Sequence, residues 1–162
     1  LGTGSGAILL RLLAERKEAE GLGTDISIAA LDVAERNARA LGLHRRARFV
    51  RAPWLSGVQG PFDLIVSNPP YIPAADLPAL APELRHAPEG ALSDGGDGLS
   101  AHRAILSGAP RVLAPGGRVL LECGAGQAEI VTDIAAQAGF KTVRQHPDFD
   151  GRPRIIEAKS AI

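Results

Sequence analysis

The sequence predicts an α/β fold: a doubly wound, mostly parallel sheet with an antiparallel last strand. Two observations lead to this prediction. Strand-like and helix-like runs alternate along most of the 162 residues, as in a parallel sheet with crossover helices. The last two strand-like runs are joined by a short turn without a helix, so they can pair in antiparallel fashion. The length suits one domain, residues 1–162, with a core of its own.

Hydrophobic periodicity, and the residues that end each run, predict the individual elements. Helices are predicted at 7–16, 28–41, 100–113 and 127–138. Strands are predicted within 20–26, ending at Asp25, and at 47–51, 62–67, 118–123, 141–146 and 155–158. We expect the first helix to have an apolar face of Ile8, Leu9, Leu12 and Leu13. On the third helix we expect His102 to be exposed.

Two stretches show no helix or strand periodicity. Residues 114–117 read Ala-Pro-Gly-Gly, which predicts a tight turn. Residues 68–99 contain six prolines with interspersed leucines, including Pro82 and Leu84. A loop of this length within a compact domain is usually functional. We therefore expect an ordered loop that faces a substrate.

Composition excludes several classes of protein. The formal net charge is zero, which argues against non-specific binding of nucleic acid. The single cysteine, Cys123, excludes an intrachain disulfide and a cysteine-rich zinc site. No apolar run is long enough to cross a membrane, and we expect no secretory signal. We therefore expect a cytoplasmic protein.

The most informative run is Asn68-Pro69-Pro70-Tyr71, hereafter the Asn-Pro-Pro-Tyr segment. It follows a buried-strand pattern, and two consecutive prolines cannot continue the strand. One amide side chain, one backbone carbonyl and one aromatic ring are thereby placed at the carboxyl end of a strand. Ligands bind at that edge of open α/β sheets. The alternative interpretation is a rigid turn without a binding role.

A second candidate site lies at the start of the chain. Residues 2–6, Gly-Thr-Gly-Ser-Gly, form a glycine loop that opens the first helix, and such loops approach ligands closely. Asp25 stands 19 residues beyond Gly6 at a strand end, where acidic residues bind ribose hydroxyls. The alternative is that Asp25 or Ser27 caps the next helix. Trp54 follows a strand, so it lines an adenine pocket or belongs to the core.

These patterns together resemble the class I S-adenosylmethionine-dependent methyltransferases. The narrower likeness, over the whole chain, is to the peptide chain release factor glutamine methyltransferases. It is seen in the glycine loop, in 25–27, in 65–73, in the Ala-Leu-x-x-Gly-Gly-x-Gly-Leu run at 91–99, in 113–117 and in Gly-Arg-Pro-Arg at 151–154. The chain has no methionine and opens inside the glycine loop, so we expect a fragment without the first strand or the helical N-terminal domain.

The resemblance implies an activity and a set of site residues. The activity is methyl transfer from S-adenosyl-L-methionine to the side-chain nitrogen of a glutamine in a release factor. The implied cofactor contacts are Gly2, Thr3, Gly4, Gly6, Asp25, Ile26, Trp54 and Asn68. The implied substrate contacts are Asn68, Pro69, Pro70 and Tyr71, with Asn68, Pro69 and Tyr71 catalytic; no metal is implied. The chain departs from the family at Pro53 and Ala87, where the family usually has acidic residues.

The chemistry of the Asn-Pro-Pro-Tyr segment leaves alternatives open. The Asn68 amide oxygen and the Pro69 carbonyl are two acceptors that can bind both N–H groups of one planar NH₂. Such a pair would also hold the exocyclic amine of a nucleobase, so a DNA or RNA amino-methyltransferase is the nearest alternative. That class needs a positive channel, and zero net charge makes nucleic acid the less expected substrate. A binding module without catalytic activity is the third alternative.

Overall fold

The computed structural model describes residues 1–80 and 88–160. The chain divides into two compact units, Leu1–Val58 and Gln59–Ile162, here called the N-terminal and the C-terminal unit. Pro82, Leu84 and Ala87, which the sequence places in the long loop, lie outside the described residues.

The N-terminal unit contains two helices and two parallel strands. Its elements are α1 (Ala7–Glu15), β1 (Gly21–Asp25), α2 (Ile28–Ala40) and β2 (Ala47–Arg51). β1 and β2 pair in parallel from Gly21 opposite Ala47 to Asp25 opposite Arg51. A parallel pair requires a crossover connection, which α2 supplies. All four elements match their predicted positions to within about two residues, the usual uncertainty of element ends.

The core of this unit corrects one prediction. Leu10 and Leu13 are the buried positions of α1, and they pack in a cluster with Ala38 and Leu43. Ile8 and Leu12 of the expected face are 47% and 37% exposed. The reason is that residues 7–10 and 12–14 are all apolar, so periodicity alone could not select the buried face.

The C-terminal unit is built on a four-stranded sheet. Its strands are β3 (Phe62–Ser67), β4 (Leu113–Glu122), β5 (Thr142–Pro147) and β6 (Pro153–Lys159), in the order β3-β4-β6-β5. β3 and β4 are parallel, whereas β6 is antiparallel to both β4 and β5. The predicted fold class is confirmed, including the antiparallel end of the sheet.

The helices of this unit differ from the prediction in two places. Besides α4 (Ser100–Gly108) and α5 (Ala128–Gln137), the long loop holds a 3-10 helix at Ala74–Ala79 and the short α3 at Glu89–Leu92. These turns are too short to produce a detectable hydrophobic period. A second 3-10 turn, Ala109–Arg111, ends α4 before the predicted position.

Strand β4 begins earlier than expected. Leu113 already pairs with Phe62, and the ladder then shifts so that Arg118 pairs with Leu64. The predicted turn at 114–117 is therefore an irregularity inside the strand rather than a boundary before it. Gly116, at φ 74°, provides the left-handed conformation that this irregularity uses.

His102 is fully buried, so the expectation that it is exposed was wrong. Its neighbours Ala101, Ile105 and Leu106 on α4 are buried as well. The imidazole Nε2 lies 2.8 Å from the backbone carbonyl of Glu122. This partner satisfies one ring nitrogen, whereas the buried Nδ1 has no hydrogen-bond partner among the described residues. Burial also lowers the pKa of His102, because desolvation disfavours the charged imidazolium.

Within residues 1–80 and 88–160, no helix has both the length and the apolar character that a membrane crossing demands.

Candidate functional site

The glycine loop lies beside the carboxyl end of β1. Gly2, Gly4 and Gly6 have φ angles of 57°, 54° and 81°, a left-handed conformation that side chains rarely adopt. The Thr3 N–H donates to the carbonyl of Thr24 over 2.9 Å and thereby ties the loop to the strand. A methyl group at Gly4 would meet no described atom within 4 Å, so the space beside the loop is open.

Asp25 connects the glycine loop with the end of β1. Its Oδ2 accepts from the Gly4 N–H at 2.8 Å, and its Oδ1 accepts from the Ser27 N–H at 2.9 Å. The N-cap of α2 is Ser27, whose hydroxyl accepts from the Ala30 N–H at 3.2 Å. Each oxygen of a carboxylate retains a further lone pair, so Asp25 can accept from ribose hydroxyls as well. The ribose role stays a prediction.

Trp54 contacts the glycine loop. A methyl group at Gly2 would stand 3.2 Å from the indole ring, so the ring packs directly over this residue. Trp54 has a φ of 51°, a strained conformation for a bulky side chain. Its carbonyl accepts from the buried hydroxyl of Thr24 at 3.0 Å. Backbone strain of this kind occurs most often at ligand sites.

The residues of the N-terminal unit fit an adenosyl ligand. Ile26 follows the carboxylate of Asp25 and leaves 64% of its surface exposed. Together with the indole of Trp54 it offers apolar surface for a purine, while Asp25 and the glycine loop offer polar groups. Gly2, Thr3, Gly4, Gly6, Asp25, Ile26 and Trp54, the predicted cofactor residues other than Asn68, all belong to this unit.

The Asn-Pro-Pro-Tyr segment leaves β3 in the C-terminal unit, where the sequence predicts it. Asn68 is exposed, Pro69 is buried, and Pro70 and Tyr71 are half-buried. Among the described residues, the Asn68 amide and the Pro69 carbonyl have no hydrogen-bond partner. Two acceptors are thus available at one strand end, as a ligand NH₂ group requires.

Tyr71 is held at both its side chain and its backbone. Its hydroxyl donates to Oε1 of Glu122 at 3.2 Å, and its carbonyl accepts from Nε2 of Gln127 at 2.9 Å. Burial and the Glu122 carboxylate both raise the pKa of the Tyr71 hydroxyl. Sequence reasoning missed Glu122 and Gln127. The available signal was that Glu122 ends a strand on the ligand edge.

The loop of residues 93–98, called the Asp94 loop, folds around the carboxylate of Asp94, and Asp97 accepts a further hydrogen bond from the Leu99 N–H at 3.0 Å. Asp94 accepts from the N–H groups of Gly96, Gly98 and Ser100 at 2.8, 3.0 and 2.8 Å. Burial acts to raise the pKa of Asp94, but the hydrogen bonds from Ser100, Gly96 and Gly98 lower it well below its usual range. The carboxylate is therefore ionised at neutral pH, the form that accepts these three hydrogen bonds.

The Asp94 loop packs against the chain that follows the Asn-Pro-Pro-Tyr segment. The Ile72 N–H donates to the carbonyl of Leu92 at 3.0 Å, and the Ala74 N–H donates to the carbonyl of Gly96 at 2.9 Å. Gly98 lies directly against the Tyr71 carbonyl, and at φ 75° it also requires glycine. These contacts explain physically why a glycine-rich run accompanies the Asn-Pro-Pro-Tyr segment in this sequence.

A family profile and curated relatives both match this chain, and both are described as methyltransferases. The sequence profile of the methyltransferase small domain matches residues 1–99. The chain is 52% identical over 160 residues to the release factor glutamine methyltransferase of Cereibacter sphaeroides, covering 98% of this chain and 58% of that protein. It is 51% identical over 160 residues to the protein of that name from Rhodospirillum rubrum, covering 98% and 49%. The chain thus spans about half the length of the curated relatives it matches.

The fold is shared with solved methyltransferases. A methyltransferase from Pyrococcus furiosus matches with a TM-score of 0.75 at 20% identity, over 99% of this chain and 73% of that one. At this identity the likeness concerns the fold alone.

Proposed function

The chain belongs to the methyltransferase small domain family, and from this premise we propose that it transfers a methyl group from S-adenosyl-L-methionine to the side-chain amide nitrogen of a glutamine in peptide chain release factors. The names of the relatives that share about half of its residues support this substrate. We further propose that residues 1–162 make up the catalytic domain of such an enzyme. In the alternative, the chain is a binding module that does not transfer a methyl group.

The observation that carries the proposal is the acceptor pair on the Asn-Pro-Pro-Tyr segment, which has no hydrogen-bond partner among the described residues. The Asn68 amide oxygen and the Pro69 carbonyl accept the two N–H groups of the glutamine side chain and hold its planar NH₂ in one orientation. An amide nitrogen is a poor nucleophile because its lone pair is delocalised, so orientation is what the enzyme must supply. The same two oxygens stabilise the positive charge that develops on the nitrogen.

The N-terminal unit would hold the cofactor. The N–H groups around the glycine loop and the carboxylate of Asp25 provide the polar contacts, and Ile26 and Trp54 provide the apolar ones. Pro53 stands where the family usually has an acidic residue, so adenine recognition would rest on backbone groups and packing. When bound, S-adenosyl-L-methionine supplies an electrophilic methyl group on its sulfonium.

Tyr71 and Pro70 complete the proposed substrate contacts. Pro70 fixes the backbone between the acceptor pair and Tyr71, because its ring locks φ. The Tyr71 ring would pack on the plane of the glutamine amide. We assign no general base, since the product nitrogen loses its proton to water without one.

An assay with labelled cofactor tests the substrate class. The protein is incubated with radiolabelled S-adenosyl-L-methionine and, in separate reactions, a purified release factor, single-stranded DNA and a tRNA mixture. We expect label in the release factor alone, with a mass increase of one methyl group on a single glutamine. Label in either nucleic acid would instead support the amino-methyltransferase alternative. The absence of label in every reaction would overturn the proposed activity.

A further inference from the structure

We propose that Gln127 is a positioning residue for the methyl acceptor: it fixes the backbone of Tyr71 and thereby sets where the Asn68 amide and the Pro69 carbonyl stand. The effect on catalysis rests on the proposed function. The effect on the backbone of the segment does not, and it can be measured separately.

The need for such a residue follows from the sequence of the segment. Proline has no backbone N–H, so residues 69 and 70 cannot donate a hydrogen bond to the rest of the protein. The Asn68 side chain and the Pro69 carbonyl are the groups that the substrate is proposed to use. Among the described residues, the hydrogen bonds that hold this stretch of chain are made by the carbonyl and hydroxyl of Tyr71 and by the N–H of Ile72.

The side-chain amide of Gln127 holds the first of these groups, the Tyr71 carbonyl, and the orientation of that amide is fixed. Its Oε1 accepts from the Gly124 N–H at 2.8 Å, and its Nε2 donates to the Tyr71 carbonyl at 2.9 Å. Gly124 offers a donor and Tyr71 an acceptor, so the amide can make both bonds in one orientation only. The side chain thus connects the end of β4 with the segment that follows β3.

Gln127 is itself held by a rigid element. It precedes α5, and its backbone carbonyl accepts from the Val131 N–H at 3.0 Å. Its side chain does not cap that helix. Its polar atoms therefore serve Gly124 and Tyr71 instead of the helix end, so the side chain is not explained by helix stability.

The packing around Gly124 supports the same role. A methyl group at Gly124 would stand 2.8 Å from Oε1 of Gln127 and 3.2 Å from the Tyr71 ring. A side chain here would displace one of the two. The glycine therefore permits the amide of Gln127 and the ring of Tyr71 to approach the same backbone position.

Gln127→Glu tests the proposal with almost no change of shape. The carboxylate still accepts from the Gly124 N–H, but it cannot donate to the Tyr71 carbonyl at neutral pH. Gln127→Met removes the same donor without adding charge. Gln137→Glu, at the exposed last position of α5, makes the same chemical change at the opposite end of this helix and serves as the matched control.

Two measurements are made on each variant. Amide hydrogen exchange at Ile72 and Ala74 reports the segment, and exchange at Val119 and Leu121 in β4 reports whether the sheet is intact. Methyl transfer to the release factor gives kcat and KM, and calorimetry gives the affinity for S-adenosyl-L-methionine.

We expect Gln127→Glu and Gln127→Met to speed exchange at Ile72 and Ala74 and leave β4 protected. We expect kcat to fall about 10- to 100-fold, because a shift of the acceptor groups by about 1 Å misplaces the reacting nitrogen. The affinity for S-adenosyl-L-methionine should not change. Gln137→Glu should match the wild type. Unchanged exchange at Ile72 and Ala74, or a wild-type kcat despite faster exchange, would overturn the positioning role. If the wild type does not methylate the release factor, the proposed function fails, while the exchange rates still decide whether Gln127 holds the segment.

Discussion

The hydroxyl of Tyr71 donates a hydrogen bond to the carboxylate of Glu122, the last residue of β4, across 3.2 Å. The pair joins the segment after β3 to the end of the adjacent parallel strand. Only the protonated hydroxyl can donate this bond, and burial together with the carboxylate raises its pKa. Since the folded pKa lies above the unfolded one, the contribution to stability is complete below about pH 10 and is lost as pH rises through the folded pKa.

Absorbance titration at 295 nm measures this effect directly, because Tyr71 is the only tyrosine in the sequence. We expect the phenolate to appear with a midpoint above that of the unfolded protein. In Glu122→Gln the midpoint should move down, since the negative charge is removed while a hydrogen-bond acceptor remains. Equal midpoints in the wild type and in Glu122→Gln would show that the carboxylate does not act on Tyr71.

Asp25 provides a second test, in the N-terminal unit. Asp25→Asn keeps the size of the side chain but removes its charge and one of the two oxygens that accept from Gly4 and Ser27. We expect affinity for S-adenosyl-L-methionine to fall about tenfold or more, as loss of a charged hydrogen bond of about 1.5–3 kcal/mol implies. Isothermal titration calorimetry measures this. Asp32→Asn, at an exposed position of α2, is the matched control, and an Asp25 variant that binds like the control would exclude the ribose role.

Gly98 tests the contact between the Asp94 loop and Tyr71. Gly98→Ala adds a methyl group at a residue with φ 75° and directly against the Tyr71 carbonyl. We expect the free energy of unfolding to fall by about 1–3 kcal/mol from backbone strain, with a further loss from the contact. Gly90→Ala, in α3 with φ in the ordinary range, should be neutral or slightly stabilising. Chemical denaturation compares the two, and equal stability of both variants would contradict this account of Gly98.

Local sequence signals predicted the glycine loop, Asp25 at the end of β1 and the Asn-Pro-Pro-Tyr segment after β3. Each of these depends on neighbours within a few residues, or on a spacing along one strand-helix unit. The residues that hold Tyr71 were not predictable in this way. Glu122 and Gln127 lie 51 and 56 positions away along the chain, and only the register of β3 with β4 brings them to the segment.

The errors have the same physical origin. His102 was expected to be exposed, but it is fully buried. Its burial depends on the carbonyl of Glu122, which is 20 positions distant. On α1, Leu13 is buried and Leu9 packs against the core as predicted, but Ile8 and Leu12 are exposed, because the sequence of this helix is apolar on almost every side. In both cases tertiary packing, which periodicity does not record, decided the outcome.

Methyl transfer by variants of Asn68 tests directly whether this side chain holds the methyl acceptor. In Asn68→Ala the side-chain acceptor is lost, and we expect kcat to fall at least about 100-fold, as for removal of one charge-stabilising hydrogen bond. Affinity for S-adenosyl-L-methionine should stay largely unchanged. Asn68→Asp retains an acceptor oxygen and should keep measurable activity. The readout is mass spectrometry of the methylated glutamine in the release factor. Near-normal turnover by Asn68→Ala would show that this amide does not hold the methyl acceptor.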